Sequence, residues 1–350
     1  MTSGPDDDAA PEDRASHEAR ALTGLVAARY GLALRELVPI EGGWDPAASV
    51  WTGRDAAGAQ YGVKVTTRDV TFGLTVAGSL AGEGATGIVH PRPTLDGGLW
   101  TVDDGRLITV FDWVDGVDAV DLGPDSVDWL SLGRMLRTVH DHPAPPDVRP
   151  HRRGIRRVRK SLRALVGDVD VALRDAPAVL AERWDATRPR LLRLVEAERA
   201  LKTLRAPSVR VTTHGDPHLG NVLLDADGRP WLIDFDEASI APRELDLMLV
   251  ELGVLFDTPL TDAHRALFRE GYGTDIVVDR QRIARFGCVR AVEDATAAFL
   301  AALDRADPAD PAPSRMLDGV LGPQGLVTLV ESELDRLPLS REFTDMKVDR

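Results

Sequence analysis

Hydrophobic positions change period along this chain, and each change predicts a different kind of element. From Ser16 to Tyr30 the apolar residues recur at helical spacing. From Leu37 to Val65 they alternate as in strands, punctuated by Gly42-Gly43 and the turn residues Asp55-Ala56-Ala57-Gly58. In the last of these strands Tyr61, Val63 and Val65 face one way, while Gly62 and Lys64 face the other. A further strand pair, Leu99 to Val102 and Leu107 to Phe111, ends at Asp112-Trp113-Val114-Asp115-Gly116, where a connector is expected. Beyond Gly123 the pattern is mainly helical: Ser126 to His140, Gly154 to Val166, Val179 to Leu204, Thr261 to Tyr272, Gln281 to Leu303 and Gly325 to Leu337, the last stopped by Pro338. Strands from Val209 to Ile233 interrupt those helices. No internal repeat is visible. The pattern predicts an α+β chain, a small β-rich part up to residue 113 and a larger helical part from 114 to 350.

Composition narrows the setting. Residues 1–15 are rich in Asp and Glu and nearly devoid of large apolar side chains, which predicts a mobile acidic tail. No run of about 18 uncharged apolar residues and no leader pattern is present, so a cytoplasmic protein without membrane contact is expected. Cys288 is the single cysteine, which excludes an intramolecular disulfide and predicts a buried filler. A net charge of -14 opposes nucleic-acid binding and favours a cationic small molecule. The basic run from Arg149 to Lys160 is the exception, but Ile155, Val158, Leu162 and Leu165 recur through it at helical spacing, so it reads as a solvated helix face. The acids Glu237, Glu244, Glu251, Asp257, Glu270, Glu293 and Asp294 read as exposed helix positions rather than a cleft lining.

The chemistry concentrates in His214-Gly215-Asp216-Pro217-His218-Leu219-Gly220-Asn221, followed by Val222-Leu223-Leu224, the turn Asp225-Ala226-Asp227-Gly228, and Trp231-Leu232-Ile233-Asp234-Phe235-Asp236. An Asp-Gly turn between short apolar runs closes a hairpin, so the loop before its first strand and the residue after its second lie at the same end. Asp216, Asn221 and Asp234 are thereby expected to converge. Phosphoryl transfer needs such a set, a carboxylate for the hydroxyl proton and oxygen ligands for magnesium, and Lys64 is available for the phosphates. A zinc hydrolase built on His214, Asp216 and His218 lacks further histidines at suitable spacing.

The segment from His214 to Asp246 resembles the catalytic core of the aminoglycoside phosphotransferase family, with closest likeness to its spectinomycin kinase branch; weaker similarity covers Tyr30 to His140. The resemblance implies a protein-kinase-like two-lobed fold with the nucleotide between the lobes. It implies Asp216 as catalytic base, Asn221 and Asp234 as Mg2+ ligands, and Lys64 as partner of the α- and β-phosphates of ATP or GTP. Phe111 to Val114, including Trp113, would form the hinge that receives the purine. His214 would brace the loop and Asp246 would stabilise it from below, while His218 and Asp236 would support the site. Two departures stand out. Glu41 to Val50 occupies the place of the phosphate-covering loop without the protein-kinase glycine motif. The helix after Lys64, Phe72 to Leu80, lacks the glutamate expected to pair with that lysine. The favoured reading is a kinase acting on a hydroxyl of an aminoglycoside or aminocyclitol. Kinases of choline, homoserine, methylthioribose, fructosamine or macrolide type, and a non-catalytic nucleotide binder, are the alternatives, and the oligomeric state is open.

Overall fold

The structure, a computed structural model, describes residues 11–40, 47–150, 160–203, 208–253, 259–304 and 312–337. The chain divides into two compact units. One runs to Asp115 and takes in Pro145–Val148 and Ile233–Asp236; the other takes Gly116–Ala144, Arg149–Leu232 and the chain from Glu237 onward.

The first unit is an antiparallel sheet with helix support. Helix α1 (Pro11–Tyr30) is followed by β1 (Arg35–Pro39), β2 (Ala48–Arg54), β3 (Gln60–Thr66), α2 (Thr71–Gly82), β4 (Thr101–Asp103) and β5 (Arg106–Asp112). The strands pair in the order β1-β2-β3-β5-β4. Leu22, Val26 and Tyr30 of α1 pack with Trp51, Tyr61, Val63, Val65, Ile108 and Val110, so the alternation read in β3 points its apolar face at a helix. The Tyr30 hydroxyl donates to the Ile108 carbonyl at 2.9 Å, and burial pushes that phenol well above its usual range. The Asp55 carboxylate accepts from the amides of Ala57 and Ala59, closing the turn between β2 and β3. Helix α1 starts at Pro11 rather than Ser16, which shortens the expected acidic tail. Proline suits a first helical turn because the N–H it lacks would be unpaired there anyway. Residues 1–10 of that tail and residues 41–46 of the expected phosphate-covering segment lie outside the described residues.

The second unit holds β6 (Gly116–Asp118), α3 (Ala119–Leu122), α4 (Trp129–Asp141), α5 (Leu162–Ala172), α6 (Ala178–Thr203), β7 (Arg210–Thr213), β8 (Val222–Asp225), β9 (Pro230–Leu232), β10 (Ser239–Pro242), α7 (Glu244–Leu252), α8 (Asp262–Tyr272), α9 (Arg280–Leu303), α10 (Ala312–Leu321) and α11 (Leu326–Arg336). Helix α9 is its centre. Ile283, Phe286, Val289, Val292 and Phe299 are buried on several faces of that helix, which packs against α5, α6, α7, α10 and α11. Cys288 is buried among them as the sequence predicts, and burial pushes its thiol well above the usual range. Helices α4 and α8 meet through glycine: a Cβ on Gly133 would lie 2.2 Å from the Phe268 carbonyl oxygen, and one on Gly271 2.0 Å from that of Leu130.

Several expectations change here. The helix expected over Gly154 to Val166 instead begins at Leu162, because the Ser161 hydroxyl accepts from the Ala164 amide and caps it. Residues 151–159, most of the basic run, and Asp257 lie outside the described residues. The expected connector at Gly116 is strand β6, which pairs with β8. Strand β10 pairs with β7, a pairing that its short Ser-Ile-Ala-Pro sequence does not announce. Glu244, Glu251 and Glu293 are buried, not exposed helix positions. Glu251 is held by Arg269 and Arg280, supplied by other helices. Among the described residues no helix is long and apolar enough to cross a membrane.

Candidate active site

The lysine lies in the first unit, with its acids beside it. Lys64 sits on β3, directly opposite Thr109 of β5. Its Nζ lies 3.0 Å from Asp234 Oδ1 and 2.9 Å from Asp236 Oδ2. Burial opposes the ammonium charge, but the two carboxylates outweigh it and hold Lys64 above its usual range. For Asp236, burial and then the charge of Asp234 push the carboxyl up to about 7. Asp234 is also buried, yet the Lys64 charge outweighs that and holds it below its usual range. The glutamate that α2 lacks is therefore not needed to pair the lysine. Instead α2 meets the acidic segment by shape, because a Cβ on Gly73 would lie 1.8 Å from the Phe235 carbonyl oxygen. Asp234 adopts φ +60, a left-handed conformation that aspartate accepts more readily than larger residues, and its Oδ1 accepts from the Asp236 amide at 3.2 Å.

The expected hinge residues fall at the end of β5. Phe111 pairs with Gly62 across the ladder and Asp112 with Tyr61. The Trp113 amide donates to the Gln60 carbonyl at 3.1 Å, and its part-exposed ring covers Gly62, 3.7 Å from where a Cβ would stand. Val114 follows directly.

The loop lies in the second unit. Asp246, on α7 and fully buried, accepts from the amides of His214 at 2.7 Å and Gly215 at 2.9 Å. His140 Nε2 meets the same carboxylate at 3.0 Å, and His140 Nδ1 meets the Tyr272 hydroxyl at 2.6 Å. Burial pushes the Tyr272 phenol well above its usual range, so it stays protonated. His214 Nδ1 accepts from the Asp216 amide at 3.3 Å. Gly215 turns the chain at φ +93, where a Cβ would lie 2.0 Å from the Glu237 carbonyl oxygen. His218 caps the short 3-10 turn Leu219–Asn221 by accepting from the Gly220 amide at 3.1 Å. Asn221 Nδ2 donates to the Asp216 carbonyl at 2.9 Å. The hairpin that follows has Val222 opposite Leu232 and closes through the Gly228 amide on the Asp225 carbonyl at 2.8 Å, as its sequence predicts.

The donor set suits magnesium, a hard cation that takes oxygen ligands. With its Nδ2 engaged, Asn221 keeps its amide oxygen as the accepting end, and Asp234 offers a carboxylate. Among the described residues no three His, Cys, Asp or Glu side chains gather to hold a metal.

A family model described as the phosphotransferase enzyme family matches residues 36–286, a span that includes the lysine strand, the loop and its bracing helix. The chain belongs to that family. Its members are small-molecule phosphotransferases, and the sheet and helical units are those of the kinase-like fold. Among solved structures, the chain is similar to spectinomycin phosphotransferase APH(9)-Ia in complex with ADP and spectinomycin, at 21% identity and TM-score 0.77, covering 90% of this chain and 98% of that one. It is also similar to the amicoumacin kinase hAmiN in complex with AMP-PNP and Ca2+, at 17% identity and TM-score 0.60, covering 94% and 96%. Choline kinase LicA from Streptococcus pneumoniae aligns at 14% identity and TM-score 0.57, covering 90% and 99%. No curated protein sequence matches the chain.

Within this phosphotransferase, sequence reasoning missed His140, Tyr272 and Arg290. The first two reach the loop through Asp246, whereas Arg290 reaches Asp216 directly. All come from helices whose pattern announces only an amphipathic face, and a lone polar residue on such a face carries no signal of what it touches.

Proposed function

We propose that this phosphotransferase moves the γ-phosphate of ATP or GTP onto a hydroxyl of a small cationic acceptor of aminocyclitol or aminoglycoside type, with Asp216 as base. The acceptor oxygen bonds to the γ-phosphorus as the bond to the β-phosphate oxygen breaks. The hydroxyl proton passes to the Asp216 carboxylate, and the products are a phosphate ester and a nucleoside diphosphate. Lys64 binds the nucleotide phosphates, exchanging carboxylate for phosphate oxygens. Trp113 and Val114 receive the base. Asn221 and Asp234 are the residues that would each offer an oxygen to a divalent ion, whose charge would offset that of the phosphate oxygens.

The observation that carries this reading is the bracing of Asp216. Its loop is tied by two amides to a buried carboxylate, and by its own carbonyl to Asn221. A base so fixed needs no reorganisation when the hydroxyl arrives. The likeness to an enzyme crystallised with ADP and spectinomycin supports the acceptor class. The test is nucleotide consumption with Mg2+ against spectinomycin, other aminoglycosides, choline and related amino alcohols, beside Asp216→Ala. Acceptor-dependent release of nucleoside diphosphate, lost in the variant, is expected, with spectinomycin or a relative as the best acceptor. Preference for choline would overturn the acceptor class, and an undiminished Asp216→Ala would overturn the base.

A further inference from the structure

Helix α2 brings no charge to the lysine. From Thr71 to Gly82 it holds no acidic residue, and its buried side chains Phe72, Leu74, Val76, Ala77 and Leu80 are all apolar. Asp69, just ahead of it, accepts from the Thr71 amide at 3.2 Å and from the Thr71 hydroxyl at 2.6 Å. Lys64 itself has a fixed root and a loose tip. Its backbone lies inside the sheet, between Val50 of β2 and Thr109 of β5, while its ammonium ends a flexible four-carbon stem. A group at that end has to hold it if it is to meet phosphate oxygens in one place.

The two acids at Nζ are not equivalent. The Asp234 side chain is 39% exposed and that of Asp236 only 10%. Asp236 is also held at its backbone, because its amide donates to Asp234 Oδ1. The peptide between the two acids is held by shape: the Phe235 side chain is buried, and its carbonyl oxygen stands where only a glycine at position 73 leaves room. Helix α2 thus fixes the place of the acid without supplying it.

We propose that Asp236 is a positioning residue for phosphoryl transfer, the standing partner of Lys64 in place of a helix glutamate: its Oδ2 keeps the ammonium when nucleotide phosphates take the more open side held by Asp234. The contribution of α2 is its fit to Phe235. The proposal rests on the reading of Lys64 as the ligand of the nucleotide phosphates.

The test is a double-mutant cycle on the full chain, read by calorimetry with ADP, first without metal and then with Mg2+. Asp236→Ala is expected to raise the ADP Kd about 10-fold in both conditions. Asp236→Asn, which keeps an accepting oxygen, should recover most of that loss, and its recovery separates a lost contact from a lost fold. In a Lys64→Met background, Asp236→Ala should change the Kd by less than about twofold, because its effect runs through the lysine. With the best acceptor of the panel, kcat in Asp236→Ala should fall about 10-fold and return in part in Asp236→Asn. A loss confined to the Mg2+ condition would make Asp236 a metal ligand and overturn the proposal. So would a 10-fold loss that persists in Lys64→Met, or an Asp236→Ala that binds ADP as the wild type does. Unchanged ADP binding in Lys64→Met alone would sink the reading of Lys64, an outcome distinct from these.

Discussion

Two regions of this phosphotransferase each set one cation against two carboxylates, and they do it differently. In the first unit Lys64 meets Asp234 and Asp236, which lie two positions apart on one short segment. In the second, Arg290 meets Asp216 on a loop and Asp294 on its own helix. Local sequence forces the first pair of acids together, so their repulsion adds to burial and Asp236 is pushed up to about 7. Tertiary structure selects the second pair, and a planar fork separates them by donating through different nitrogens. An ammonium is a point charge on a flexible stem and can exchange a carboxylate for a phosphate, whereas a guanidinium held on both sides keeps a geometry. Under the proposed function, ligand exchange falls to the first region and alignment to the second.

The largest expected effect tests the aligned region. Asp216→Asn keeps the shape but removes the proposed base, and kcat for the best acceptor should fall about 1,000-fold while nucleotide affinity, measured by calorimetry, stays near wild type. In the exchanging region Lys64→Met should lower turnover by about 100-fold and weaken nucleotide binding as well, so the two regions separate by KM against kcat. Shape is the next lever. Gly73→Ala would press a methyl into the Phe235 carbonyl and displace the acidic segment, costing about 1–3 kcal/mol in denaturant unfolding. Tyr272→Phe removes the hydroxyl that meets buried His140 and should cost about 1–2 kcal/mol, with a smaller loss of kcat than Asp216→Asn.

The smallest effect is a pH slope. Asp236 has a folded value of about 7 against an ordinary 3.8, so between these the folded chain keeps a proton that the unfolded chain has released. Stability of the nucleotide-free protein should therefore gain from this group at low pH and lose that gain as pH rises from 3.8 towards 7. Asp234, held below 3.8, acts in the opposite sense and only below that value. Asp236→Asn should flatten the decline above 3.8, read as unfolding midpoint against pH.

Much of this was legible in the residues. Alternation in β3 predicted which face Lys64 would take, because side chains on a strand alternate regardless of context. The Asp225 to Gly228 turn predicted its hairpin, since only certain residues accept that backbone. The loop from His214 to Asn221 stood out because its residues are near neighbours in sequence and their spacing is part of their chemistry. What only tertiary structure decided were the partners: which acids pair Lys64 without a glutamate on α2, which helix braces Asp246 through His140 and Tyr272, and that Arg290 comes to Asp216. A helical period says which face is buried, but not which of several buried polar groups will meet across the core. Those pairings are set by packing of helices far apart in the chain, where an unpaired buried charge costs far more than an exposed one. The sequence by itself determined the candidate groups and the local turns that present them; the folded chain decided the charges that hold them in place.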